Sequence, residues 1–208
     1  KKIYLIPNGY CTNGNLYLEN LVRENIFLTV GRLGNESKAT DVLLQAFAKC
    51  AEKTDWNLRL VGKIEAEFLK YIEEYFEKYP MLKSRVEFAG EITKREILNK
   101  EYQKAKIFVL PSRWESFGLV LVEALSNGCR LLSTKEVPPI DEITDGGKYG
   151  RIVSADNVDE LANAMLEMTK EEYSEYISED MREYAYSHFE WGHICKEIYK
   201  LMFMVEQK

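Results

Sequence analysis

Ile107-Phe-Val-Leu110-Pro-Ser-Arg-Trp-Glu115-Ser-Phe-Gly-Leu-Val-Leu-Val-Glu123-Ala-Leu-Ser-Asn-Gly128 reads as one complete strand, loop and helix. Ile107 to Leu110 is apolar at every position, as expected of a strand covered on both faces, and Pro111 stops it. Phe117 to Ser126 carries a helical signal, and Asn127-Gly128 is a C-cap pair that ends it. Ser116 stands where a hydroxyl would cap the helix, which makes Phe117, Gly118 and Leu119 its expected first turn.

The same alternation runs outward in both directions. Ile26 to Val30 and Leu58 to Val61 are strand-like runs, as are Val86 to Ala89, Arg130 to Ser133 and Arg151 to Ser154. Between them, Val42, Leu43, Ala46, Phe47, Cys50 and Ala51 recur at the spacing of one apolar helix face. Helices are also expected over Glu65 to Tyr79, closed by Pro80, and over Lys94 to Lys104. Another is expected up to Met168 behind a capping box of Asn157 and Glu160. Apolar strands alternating with helices predict an α/β fold: a doubly wound, Rossmann-like parallel sheet of about six strands with helices on both faces. Ligands of such sheets bind beyond the carboxyl ends of the strands, so the βα loops are the places to look for chemistry. From Glu171 onward two acidic, Tyr-rich helical stretches follow. Trp191, Ile194, Cys195, Ile198, Tyr199 and Met202 form a stripe on the second, expected to pack as core.

With 46% hydrophobic residues in 208, the chain can build a real core. A net charge of −6 excludes the dense basic face that nucleic acid requires, so any phosphate binding must be local. Cys11, Cys50, Cys129 and Cys195 lack metal-ligand spacing and read as small apolar fillers, in keeping with a reducing, cytoplasmic setting. No apolar run approaches the ~20 residues that span a bilayer. The chain opens on Lys1-Lys2-Ile3 without an initiator Met, and Pro7-Asn8-Gly9 interrupts the apolar stretch too early for a signal peptide, so a piece of a longer protein is expected.

Two loops carry chemistry. Gly31-Arg32-Leu33-Gly34-Asn35-Glu36-Ser37-Lys38 places two cations in a glycine-bearing turn just before a helix, a setting suited to an anion, though it lacks P-loop spacing. In the second loop, Gly118 admits a ligand close to the backbone. Glu123 sits on an otherwise apolar helix, so its carboxylate must find donors. Either it pairs with a Lys or Arg of a neighbouring helix, or it accepts bonds from ribose hydroxyls.

The two glutamates, with seven residues between them, resemble the EX7E motif of retaining glycosyltransferases of family 4, which have the GT-B fold. Further matching pieces are Ile6-Pro-Asn-Gly9, Val30-Gly-Arg-Leu33 with Lys38, Leu60-Val-Gly62, Val86-Glu-Phe-Ala-Gly90 and Phe108-Val-Leu-Pro-Ser112. The resemblance runs from about Ile6 to about Leu166.

It implies the C-terminal, donor-binding half of a GT-B fold. Residues 1–10 would be an interdomain linker and first strand, 11–170 the nucleotide-sugar-binding domain and 171–208 helices packed on it, with an acceptor-binding N-terminal domain outside the chain. The implied donor is a UDP-, GDP- or ADP-sugar, the implied acceptor a glycan or lipid-linked saccharide. A lipid-linked acceptor would bring the full-length protein to the inner face of a membrane as a peripheral protein. No metal or other cofactor is implied. Arg32 and Lys38 would neutralise the diphosphate, with Gly31 beside them. The backbone from Ser116 through Phe117 and Gly118 to Leu119 would meet phosphates and sugar. Glu115 would contact the sugar, Glu123 the ribose, and Ile92 would lie near the base. Stabilisation of the leaving diphosphate would be electrostatic, with Glu115, Arg32 and Lys38 as the catalytic set.

Departures from the family pattern are Ala39, where glycine usually follows the lysine, and Val137-Pro-Pro-Ile-Asp-Glu142 in place of a glycine-rich loop. The two prolines remove two N–H donors. Two alternatives remain at this stage. One is a non-catalytic GT-B-like module that binds a nucleotide or sugar phosphate. The other is a GT-B nucleotide-sugar epimerase, against which the EX7E spacing argues.

Overall fold

A computed structural model describes Tyr4, residues 6–11 and residues 22–206, with side chains as far as Met202. Its strands are β1 (Glu24–Val30), β2 (Asn57–Val61), β3 (Val86–Gly90), β4 (Ala105–Leu110), β5 (Arg130–Thr134) and β6 (Gly150–Val153). The helices are α1 (Thr40–Cys50), α2 (Leu69–Lys78), α3 (Arg95–Lys104), α4 (Leu119–Ser126), α5 (Ile140–Ile143), α6 (Val158–Met168), α7 (Glu175–Phe189) and α8 (Trp191–Glu206).

All six strands are parallel, in the order β3-β2-β1-β4-β5-β6. Successive strand residues divide between two cores, because side chains alternate across the sheet. Phe27, Leu58, Leu60, Ile107, Val109 and Leu132 face α1, α2 and α6, where Leu43, Phe47, Tyr75 and Met165 close the layer. Leu28, Val61, Phe108, Leu110 and Leu131 face the other way, against Tyr102 of α3, Leu121 and Leu125 of α4, and Met181 and Phe189 of α7. Most of these side chains are fully buried, and such burial stabilises by roughly 1.5–3 kcal/mol for each large apolar side chain. The unbroken apolar runs of the central strands follow from this double coverage.

Differences from the sequence reading have local causes. The helix expected over Glu65 to Tyr79 begins as a 3-10 turn, Ala66–Phe68, before α2. The four-residue α5 is too short to leave a periodic signal. Asn157 accepts from the Glu160 amide at 3.0 Å, as a capping box requires, while the Glu160 carboxylate receives the Ser154 amide at 3.0 Å. The stripe on α8 is corrected: Ile194 is buried, but Trp191, Cys195, Tyr199 and Met202 are exposed. Helix α8 packs beside α7 and, among the described residues, on the short segment around Gly9 and Tyr10, which pairs with Glu190. The Tyr10 amide donates to the Phe189 carbonyl and the Trp191 amide to the Tyr10 carbonyl. The first strand expected within residues 1–10 falls mostly outside the described residues.

Candidate functional site

The chain reverses its direction of travel along the sheet between β1 and β4, which are neighbours, so the loops after these two strands flank a crevice. Those loops hold Arg32, Lys38 and Glu115. Close backbone packing forms one wall. The Gly31 amide donates to the Val61 carbonyl at 3.0 Å and the Gly62 amide to the Gly90 carbonyl at 2.8 Å, so the carboxyl ends of three strands lie edge to edge. A Cβ on Gly62 would stand 1.7 Å from the Gly31 oxygen, and the residue's φ of +143° is itself foreign to L side chains. No other residue fits there.

Lys38 Nζ donates to Glu115 Oε1 across the crevice, and the Ser112 hydroxyl donates to the same oxygen at 3.1 Å. The pair is largely shielded, with the Glu115 side chain 12% exposed. Its loops are anchored from below. Asn35 caps the short turn Glu36–Lys38 by accepting from the Ser37 amide, and the Thr134 hydroxyl holds the Ser112 carbonyl at 2.6 Å. Arg32 is exposed, its carbonyl accepts from the Asn35 amide, and its guanidinium has no hydrogen-bond or ion-pair partner among the described residues, which leaves it available to an incoming anion.

Glu123 finds its donors inside the chain. Arg95, at the start of α3, places Nη2 2.8 Å from Oε1, and Tyr102 donates its hydroxyl to Oε2 at 3.1 Å. Burial, and next the adjoining Glu123 carboxylate, push the Tyr102 phenol well above its ordinary range, so it stays protonated and remains a donor. The pairing with an arginine of a neighbouring helix is therefore what this carboxylate displays. Ile92 lies in the loop just before α3 and packs with Phe117 and Val120 against the second core, which puts it on the same side as Glu123.

The start of α4 differs from the expected capping. Ser116 does not cap it; its side chain is exposed, and the first helical residue is Leu119. Gly118 is the N-cap, in the left-handed region at φ 79°, with no side-chain cap bond. Phe117 and Gly118 thus precede the helix. A Cβ at Gly118 would also press on Leu121 at 3.0 Å and Val137 at 3.2 Å. An uncapped helix start offers its first N–H groups and the positive end of the helix dipole to an anion.

The two sequence departures have clear structural correlates. Ala39 sits at φ 48° and ψ 43°, fully buried, in the left-handed conformation that a glycine would adopt without cost. In the loop after β5 the amides of Lys135, Val137 and Ile140 all bond within the fold, and Pro138 and Pro139 have none, so it has little left to offer a ligand. Among the described residues no three His, Cys, Asp or Glu side chains come together as a metal site. No helix there is long and apolar enough to cross a membrane.

Sequence reading missed Arg95 and Tyr102. Both reach Glu123 from another helix, and only the unexplained carboxylate on an apolar helix signalled that such donors must exist.

A family model described as glycosyl transferases group 1 matches residues 19–188. A probable sucrose-phosphate synthase of Thermosipho melanesiensis is 28% identical over 97% of this chain and 47% of its own length. Among solved structures, sucrose-phosphate synthase from Thermosynechococcus elongatus superposes with a TM-score of 0.76 at 23% identity, covering 98% of this chain and 53% of that one. Anabaena HepE, in a complex with UDP, superposes at 0.68 and 22% identity, over 88% of this chain and 49% of that one. The chain spans about half the length of these relatives.

Proposed function

Because the chain belongs to the glycosyl transferases group 1 family, we propose that it is the donor-binding domain of a retaining, family-4 glycosyltransferase, with Glu115 and Glu123 as its EX7E motif. The observation that carries this reading is the Lys38–Glu115 pair, bridging the loops after β1 and β4 at the reversal point of the sheet.

In this reading the pair is a place-holder. A nucleoside diphosphate brings its own negative charge to Lys38 and Arg32, and frees Glu115 to accept bonds from the hydroxyls of the transferred hexosyl unit. The uncapped start of α4, around Ser116, Phe117, Gly118 and Leu119, adds N–H groups to the phosphates. Glu123 holds the ribose hydroxyls with the oxygen valences that Arg95 and Tyr102 leave open, and the backbone near Ile92 meets the base. Departure of the diphosphate is assisted electrostatically by Gly31-Arg32 and Lys38, and this assignment calls for no metal. The bond from the sugar's anomeric carbon to the phosphate oxygen breaks as an acceptor hydroxyl attacks from the same face. The hydroxyl proton passes to the departing phosphate. The acceptor, a glycan or lipid-linked saccharide, would approach Glu115 from a second domain, at the cytoplasmic side of a membrane when the carrier is a lipid.

Calorimetry with UDP, GDP and ADP tests the reading, UDP first because HepE holds it. One of the three should bind at millimolar concentration or below. No heat with any of them at millimolar nucleotide would sink the donor-site assignment.

A further inference from the structure

We propose that Arg113 is a positioning residue for the phosphate-facing pair: it sets where Lys38 and Glu115 stand without touching either charged group. This inference rests on the donor-site reading above. Arg113 lies in the loop after β4, two residues before Glu115. Its backbone amide donates to the Ser37 carbonyl at 2.8 Å, immediately before Lys38. Its side chain then closes three loops together. Nη1 donates to the Glu36 carbonyl at 2.8 Å, and Nη1 and Nη2 grip the two Asp41 oxygens at 3.1 and 2.7 Å. Nε reaches Asp156, in the loop after β6, at 2.6 Å.

Every nitrogen of the guanidinium is thus engaged, and the planar fork fits this set where an ammonium would not. The clamp also has an electrostatic effect. Asp41 stands in the first turn of α1 and Asp156 beside it, 34% and 58% exposed. Unpaired, both would repel an anion arriving at the same rim. Arg113 holds them as ion pairs and so keeps the rim receptive, while the turn Glu36–Lys38, with its internal Lys38-to-Asn35 and Ala39-to-Glu36 bonds, is pinned against the loop that carries Glu115. Asp156 is held at φ 56°, a conformation that an external contact of this kind helps to maintain.

The test compares Arg113→Gln, Arg113→Lys and Asp41→Asn with the unaltered chain. Affinity is measured for the best-binding nucleoside diphosphate and for its parent nucleoside, and amide hydrogen exchange is followed over residues 35–40. In Arg113→Gln the diphosphate should lose about tenfold in affinity and the nucleoside less than about twofold, with exchange over 35–40 faster by about tenfold and α7 unchanged. Arg113→Lys should stay close to Arg113→Gln, because charge without the fork does not restore the clamp. Asp41→Asn, which weakens one arm and reads the clamp if Arg113→Gln does not fold, should cost the diphosphate about threefold. Equal loss for both ligands, no loss, or full rescue by lysine would overturn the inference while leaving the donor site standing. If the unaltered chain binds no nucleotide, the donor-site reading falls, and unchanged exchange over 35–40 in Arg113→Gln would then remove the clamp as well.

Discussion

The two ends of the sheet use arginine and lysine in opposite ways. At the amino end, Arg23 donates to the carbonyls of Tyr102, Ala105 and Asn127, and Arg85 to those of Ala51, Thr54 and Trp56. These acceptors are backbone atoms at strand starts and helix ends, and no ligand can displace the cation from them without leaving a buried carbonyl unpaired. At the carboxyl end, Lys38 and Arg95 sit on the carboxylates Glu115 and Glu123 at the mouth of a crevice. A carboxylate partner can be exchanged for a phosphate or a hydroxyl at little net cost, because one charged hydrogen bond replaces another. Arg23 and Arg85, bound to carbonyls, are architecture; Lys38 and Arg95, on the half-buried carboxylates Glu115 and Glu123, are the cations that the proposed donor site would use. A cavity of about 540 Å³ also lies at the amino end, lined among others by Lys53, Trp56, Lys106 and Arg130. Lys106 is tied to Asn25 and Arg130 to Glu171.

The contrast breaks most readily at Arg85. Arg85→Ala should cost about 3 kcal/mol in urea unfolding, through three stranded carbonyls and a lost contact with the Phe47 ring, with nucleotide affinity of the folded protein unchanged. Lys38→Ala should do the reverse. It should reduce nucleoside diphosphate affinity about 30-fold, spare nucleosides, and change stability by about 1 kcal/mol or less. Comparable stability losses in the two variants would erase the distinction between the ends.

Glu123→Gln should weaken nucleosides and nucleotides alike by about tenfold in calorimetry. If it instead unfolds the domain and leaves the affinity of the folded remainder unchanged, Arg95–Glu123 belongs with the architectural cations.

The core between the two ends supplies a pH boundary. Burial pushes the Cys50 thiol up to about 12 and Cys129 to about 11, from an ordinary value of 9.0. These are raised values for groups that are neutral when protonated. Their contribution is therefore whole below pH 9 and is lost as pH rises from there towards 11 and beyond. Unfolding monitored by circular dichroism should show a declining midpoint over that window. At pH 8, alkylation should mark the exposed Cys11 and Cys195 and leave the other two untouched until the fold opens. The smallest effect is expected for Ala39→Gly. Release from left-handed strain, roughly 1–2 kcal/mol, is offset by a lost buried methyl and added chain entropy, so stability should shift by no more than about 1 kcal/mol.

The strands were legible because a sheet covered on both faces demands apolar residues at every position, as Ile107 to Leu110 shows. Glu123 stood out because a carboxylate on an apolar helix needs donors, whereas Lys38 and Glu115 were singled out through the family resemblance. Their present partners were not legible. Arg95 reaches Glu123 from another helix, and Arg113 reaches Asp41 from another loop, and neither spacing leaves a trace in one sequence. The start of α4 was misread for a different reason. Ser116 satisfies a general capping preference, but the chain enters the helix at a positive φ that only Gly118 adopts freely, and backbone geometry outweighs a side-chain bond. On α8 the helical period was real, yet periodicity states which residues share a face and is silent on what covers it.

The neighbouring of β1 and β4 also governs how the molecule comes into being. Phe27, from near the start of the chain, pairs with Ile107, from its middle, so the central contact of the sheet closes a long loop and forms slowly compared with the local βα units. Until that closure β1 offers an unpaired apolar edge, the period in which the chain is most exposed to aggregation. A chain cut after β3 would therefore hold three glycine-ended strands and a lysine loop without any crevice. Binding competence should arrive in one step during refolding, at the moment the two strands meet.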